Sequence, residues 1–115
     1  MKKVALFAFQ GDLTCFIHVL LNALDMSEKG YAVKIIFEGA STTLIEKLAT
    51  EGNPAAALYK KVKEKSLIEG VCKACAAKLG ALDAAKSEGL TMLDELKGHP
   101  SMTRYIDEGY SIITF

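Results

Sequence analysis

The chain has no excess charge of either sign: 14 basic and 14 acidic side chains cancel over 115 residues. They are scattered, with Lys60, Lys61 and Lys63 the only local cluster, which argues against a broad basic surface of the kind that binds nucleic acid. Long apolar runs are missing as well. The densest stretch, Phe16 to Leu24, is interrupted by His18 and Asn22 and falls short of the roughly 20 residues that span a bilayer, so no membrane association is expected. Behind Lys2 and Lys3, the run Val4 to Phe9 is too short for the apolar region of a signal peptide and meets Gln10-Gly11-Asp12, so a cytoplasmic location is expected. Cysteine is sparse. Three thiols, an odd number, make no disulfide framework, and a reducing compartment would keep them free. Neither a G-x-G-x-x-G loop nor a P-loop is present, and no G-x-S-x-G elbow supports a serine nucleophile.

What is present is apolar: half the residues are hydrophobic, in a chain of 12.4 kDa that fits one domain spanning residues 1–115. Val4 to Phe9 reads as a strand buried on both faces, and Asp12 as the cap of a helix. In that helix Leu13, Phe16, Ile17, Leu20, Leu21 and Leu24 share one face, and Lys29-Gly30 ends it. The unit then repeats. Ala32 to Phe37 is a second strand, Glu38-Gly39-Ala40 a loop, and Ser41 the cap of a helix carrying Leu44, Ile45 and Leu48. Gly52-Asn53-Pro54 breaks that helix, Pro54 opens another, and Leu67 to Val71 is a third strand. Ala74 to Lys86 is helical in composition with a break at Gly80, and Thr91 to Leu93 is a short strand. Ser101 caps a last helix running to about Glu108, and Tyr110 to Phe115 closes the chain as a strand. Strand and helix in alternation predict an α/β fold of three layers, with a mainly parallel sheet of about five strands and helices on both faces.

In a parallel sheet the working crevice lies outside the carboxyl ends of the strands. That rule gathers Gln10 to Asp12, Glu38 to Ser41 and Cys72 to Cys75 on one rim. Cys72 stands where a strand becomes an alanine-rich helix, and unpaired N–H groups at a helix start favour thiolate over thiol. Cys75, one helical turn further, is the second candidate of this C-x-x-C pair. Packing, zinc and dithiol redox chemistry all remain open for it. A structural zinc site needs about four ligands. Only Cys15, His18 and His99 remain to complete one, nothing in the sequence brings His99 near the pair, and no metal is expected. A thioredoxin-like oxidoreductase would mix antiparallel strands and place the motif earlier. Glu38 is a weak candidate for a proton acceptor and more simply an exposed loop carboxylate. Histidine's reference pKa of about 6.5 suits the residue type to general acid or base work, but His99 is expected, instead, to be a solvated turn residue.

Cys15, Val19 and Met26 form a stripe on the outer side of the first helix, opposite its main apolar face. A further layer is expected to cover such a stripe, and a second subunit is its simplest source.

With this element order, and with Cys72-Lys73-Ala74-Cys75 followed by Gly80 eight residues after Cys72, the chain resembles the DsrE/DsrF-like family of small sulfur-handling proteins. The likeness spans nearly the whole length, from Lys2-Lys3-Val4-Ala5-Leu6-Phe7 to Gly109-Tyr110-Ser111-Ile112-Ile113-Thr114-Phe115, and includes the flavodoxin-like layering of the family. Members of the YchN and TusD type suggest the reading in most detail. The resemblance implies that Cys72 is the sulfur-carrying position, a persulfide carrier of the sulfurtransferase type, with Cys75 as the neighbour found in some members. It implies a trimer or hexamer, sulfur donor and acceptor proteins as partners, and no metal or organic cofactor. Where YchN-type chains have an arginine before the glycine, this chain has Lys78-Leu79-Gly80. Two rival readings stand beside the carrier: an oligomeric binding or scaffold subunit without catalysis, and a dithiol redox switch.

Overall fold

The computed structural model describes residues 1–115. Strand β1 (Lys3–Ala8) leads to α1 (Leu13–Glu28), β2 (Ala32–Phe37), a 3-10 segment (Gly39–Leu44), α2 (Ile45–Ala49) and α3 (Ala56–Glu64). There follow β3 (Ile68–Cys72), α4 (Lys73–Lys78), α5 (Leu82–Ser87), β4 (Met92–Leu93), α6 (Met102–Asp107) and β5 (Ser111–Thr114). The five strands form one sheet in the order β4-β3-β2-β1-β5, with every pair parallel. This is the α/β architecture expected from the alternation of strands and helices.

Strand order and crossover handedness together decide where the helices lie. From β1 to β4 each connection steps the same way across the sheet, and right-handed crossovers then put α1 to α5 on one face. The return from β4 to β5 runs the opposite way and sends α6 to the other face. The core divides accordingly. The larger part joins Leu6, Ile35 and Phe37 to Phe16, Leu20, Leu48 and Val62, with Phe16 stacked on Phe37 at 5.0 Å. The smaller part is Ala5, Phe7, Ile36, Leu93 and Tyr105, where the ring of Tyr105 meets Phe7 edge-on at 5.7 Å. Burying one such side chain contributes about 1.5–3 kcal/mol, so the second face depends heavily on Tyr105.

The strand and helix boundaries follow local chemistry. The Asp12 carboxylate accepts from the N–H groups of Thr14 and Cys15, at 2.7 and 3.2 Å, and starts α1 as anticipated. Gly80 breaks the helical stretch into α4 and α5 with φ of +75°, which a residue bearing a Cβ adopts only with strain. Four expectations need correction. Ser41 is no helix cap: it is buried inside the 3-10 segment, its hydroxyl donating to the Ala8 carbonyl at 2.7 Å. Ser101 holds the cap position of α6 without a side-chain bond, its own N–H donating to Glu95 instead. Pro54 does not open α3, which begins at Ala56 once the side chain of Asn53 has accepted from the Ala55 N–H. The stripe on α1 does not exist either. Val19 is 1% exposed and Met26 packs on the core, which leaves Cys15 as the exposed member, whereas Leu21, expected inside, is 47% exposed. The true apolar arc of α1 is rotated toward Val19 and Ala23, which meet the wide floor of β1 and β2.

Candidate functional site

Two backbone features bring the site together. The first is an irregularity in β3: Ile35 pairs with Ile68 but Ile36 pairs with Gly70, so Glu69 is an extra residue in the ladder. The inserted residue restores a common face for the next pairs, with Phe37 beside Val71 toward α1. Alternation then places Glu38 and Cys72, the next residues of the two strands, toward the α6 side.

The second is the close approach of β4. Gly70 has no side chain, and a Cβ there would lie 2.5 Å from the Thr91 carbonyl oxygen and 2.8 Å from Leu93 Cγ. Val71 and Cys72 therefore pair with Met92 and Leu93. Beyond β4 the chain turns tightly at Lys97 and Gly98, with φ of +49° and +92°, and Leu96 and His99 exchange both backbone hydrogen bonds. Two consecutive positive φ values make this a primed two-residue turn. It docks on the start of α4, where the Ala74 N–H donates to the Gly98 carbonyl at 2.8 Å.

The loop after β3 leads to helices on one face and the loop after β4 to α6 on the other, so the two loops part at the carboxyl edge of these paired strands. A crevice at the carboxyl edge of a parallel sheet lies at such a reversal. Cys72 and His99 meet at this edge. The Cys72 Sγ is 3.1 Å from His99 Nδ1 and 3.8 Å from the Gly98 carbonyl oxygen, and the Cys75 Sγ is 3.8 Å from the same Nδ1. The Cys75 N–H donates to the Cys72 Sγ at 3.4 Å. One ligand-type atom from each of Glu38, Cys72, Cys75 and His99 lies within 4.8 Å of the others.

Each candidate residue now has a place. Cys72, at the end of β3, is 0% exposed, and Cys75 is half-buried beside it. His99 is half-buried on the thiols, not solvated in an open turn, and Glu38 is 8% exposed, not a loop carboxylate in water. Cys15 and His18 stay on the exposed surface of α1 and take no part in the group. The three rim segments do converge: Glu38 joins the two cysteines, and a Cβ on Gly11 would meet that of Ala40 at 3.0 Å.

The electrostatics differ from the sequence expectation. The Cys75 N–H does favour thiolate at Cys72, but burial opposes it more strongly, with the Cys75 side chain adding to the effect, and the Cys72 thiol is pushed up to about 12. The resting group is a thiol. Burial likewise raises the Glu38 carboxyl to about 7, and this side chain makes no hydrogen bond or salt bridge of its own. Ionising Cys72 requires a nearby proton acceptor, and in the Nε2–H tautomer His99 presents Nδ1 for that purpose.

A sequence profile of the DsrE/DsrF-like family matches residues 13–115. The chain belongs to this family. An uncharacterised protein of Methanocaldococcus jannaschii is 35% identical over 117 aligned positions, covering 96% of this chain and 93% of the relative. An uncharacterised protein of Archaeoglobus fulgidus is 39% identical over 59 positions, 51% of this chain and 95% of that relative. Among solved structures, a conserved protein of unknown function from Bacteroides thetaiotaomicron superposes with a TM-score of 0.69, covering 99% of this chain and 95% of its own, at 19% identity. That likeness shows that the two chains share a fold and leaves the chemistry to the residues. No helix is long and apolar enough to cross a membrane.

Proposed function

We propose that this DsrE/DsrF-like protein is a sulfur relay in which Cys72 carries sulfane sulfur as a persulfide. The 3.1 Å approach of His99 Nδ1 to the Cys72 Sγ is the observation that supports it. His99 takes the thiol proton, and the resulting Cys72 thiolate attacks the terminal sulfur of a donor persulfide. One S–S bond forms at Cys72 as the donor S–S bond breaks, and the donor leaves as a thiolate that recovers the proton from His99. Sulfane sulfur is exchanged with no net oxidation, so the step requires no oxidant. Delivery to an acceptor thiol is the same exchange in reverse.

Burial sets a condition on this chemistry. Cys72 lies under the Lys97-Gly98 turn, so a donor reaches it when that turn lifts from α4. The half-buried Cys75 serves as the thiol that attacks the inner sulfur of the Cys72 persulfide, forming a Cys72–Cys75 disulfide as the S–S bond to the outer sulfur breaks and hydrosulfide leaves. Donor and acceptor are proteins with reactive thiols in a reducing, cytoplasmic setting where all three cysteines stay free. Self-association as a trimer or hexamer belongs to the same proposal. Exposed Leu21, Leu79, Leu96, Ile106 and Ile113 supply apolar surface for it in place of the stripe on α1.

Transfer tests the reading. Protein loaded with isotopically labelled sulfane sulfur must pass the label to a small acceptor thiol, and Cys72→Ser must pass none. Label that never leaves the protein would favour a binding subunit, and loss of two hydrogens without sulfur uptake would favour a dithiol switch.

A further inference from the structure

We infer that Glu38, Cys72, Cys75 and His99 form a tetrahedral site for a borderline-soft divalent cation, with zinc as the fitting ion. This inference does not rest on sulfur carriage, because it uses only the donor set and its geometry. Bond lengths of about 2.0–2.3 Å to nitrogen, oxygen and sulfur put the ligand atoms of a tetrahedral zinc site roughly 3.3–3.8 Å apart. The sulfur of Cys72 is already 3.1 Å from His99 Nδ1, that of Cys75 is 3.8 Å from it, and the whole set lies within 4.8 Å. The wider separations, up to 4.8 Å, would have to close by about 1 Å for the set to bond one ion.

The donor chemistry selects the ion. Two thiolates and an imidazole favour zinc over magnesium or calcium, which take oxygen ligands. Cys72 ends β3 in the cap position of α4 and Cys75 lies in the first turn of that helix, so a spacing of three residues brings the two sulfurs to the same side. His99 comes from the turn after β4 and Glu38 from the end of β2, so the ion would tie together three separate segments.

Glu38 provides an independent sign. The Glu38 carboxyl, on a residue 8% exposed, has no hydrogen-bond or ion-pair partner within the protein, none of its oxygens is fully enclosed, and it sits within reach of the two thiols and the imidazole. A cation at the centre gives it the partner it lacks. Cys72 and Cys75 are also the sole cysteines of the site, with Cys15 well apart on exposed α1, so the coordination uses two sulfurs and no more.

Binding is a ligand exchange without electron transfer. Two S–H bonds break, two zinc–sulfur bonds form, the protons go to solvent or buffer, and water leaves the ion. The metal and a persulfide compete for the same sulfur of Cys72, so the ion-bound state is one in which Cys72 cannot accept sulfur.

The test uses the reduced full-length chain, freed of metal with a chelator and titrated anaerobically with Co²⁺, whose spectrum reports thiolate ligands and tetrahedral geometry. Binding at one equivalent is expected, with a sulfur-to-cobalt charge-transfer band and intense visible bands that Zn²⁺ abolishes by displacement. His99→Asn and Glu38→Gln are each expected to weaken affinity by about tenfold or more, with circular dichroism showing the fold retained. Cys72→Ser is expected to remove much of the charge-transfer band. Absence of a thiolate band overturns the site, and so does an unchanged affinity in His99→Asn or in Glu38→Gln. Sulfur loading of the metal-free protein is read separately by mass, so failure of one proposal leaves the other standing.

Discussion

His99 Nδ1 lies 3.1 Å from the Sγ of Cys72, although 27 residues separate them in the chain. The contact depends on non-local features: the glycine at position 70, the two-residue strand β4 and the tight turn at Lys97-Gly98. Local sequence records neither partner's nearness to the other.

If His99 is the proton acceptor for Cys72, His99→Ala in metal-free protein slows persulfide loading by about a hundredfold, the usual scale of general-base assistance. Final loading at long times stays close to wild type, because Cys72 is still present. Single-turnover mass spectrometry separates the two quantities. Equal rates in wild type and variant would remove His99 from the mechanism.

Gly70→Ala probes the approach of β4. The added methyl would meet the Thr91 carbonyl oxygen at 2.5 Å and Leu93 Cγ at 2.8 Å, so the strands must move apart. Overpacking of this kind costs about 1–3 kcal/mol. Denaturant unfolding is expected to show that loss, and the Cys72 thiol is expected to react faster with an alkylating reagent as the His99 turn loosens. Unchanged stability and unchanged labelling would contradict the account of this edge.

Tyr105 holds the thinly covered face. Its ring is fully buried against Phe7, and its hydroxyl donates to Glu69 at 3.0 Å, beside Arg104. Tyr105→Phe is expected to cost about 1 kcal/mol for the hydrogen bond. Tyr105→Ala is expected to cost about 3–5 kcal/mol for the cavity. Urea titration of both variants checks the ordering, which equal losses would refute.

The Glu88 carboxyl ties α5 to α3, accepting from the Tyr59 hydroxyl at 2.7 Å and facing the Lys63 ammonium at 3.0 Å. The Tyr59 bond, helped by Lys63, holds it below its ordinary value of 4.5. A carboxylate depressed in the folded state stabilises above the unfolded value, and that contribution is lost as pH falls through the folded one. The stability gap between wild type and Glu88→Gln is therefore expected to be full at neutral pH and to shrink below about pH 4.5. Thermal melts across pH 3 to 7 would show a constant gap if the ion pair were unimportant.

Much of the frame was legible because its signals are local. Asp12 caps α1, Gly80 divides α4 from α5, and Cys72 ends β3, all where the pattern of residues placed them. Periodicity puts Val19 on the outer side because α1 is apolar around much of its circumference, and the pattern alone does not say which arc meets the sheet. Ser41 looked like a cap because serine often is one, whereas here its hydroxyl ties the loop to the end of β1. The sequence pattern puts Glu38 and His99 in solvent, the usual place for such residues in loops. The reversal of loop direction between β3 and β4 and the extra residue Glu69 in the ladder bury them instead. Lys97-Gly98 was the available hint, a pair suited to a tight turn just before a histidine.

The central claim is that Cys72 takes up sulfane sulfur, and intact mass measures it directly. Metal-free, reduced wild type and the variants Cys72→Ser and Cys75→Ser are incubated with a small sulfane-sulfur donor and weighed. The account predicts the gain of one sulfur atom in wild type and in Cys75→Ser, reversed by a reductant, and no gain in Cys72→Ser. A wild type that gains no sulfur while its thiols alkylate readily would contradict it, as would a gain that persists in Cys72→Ser.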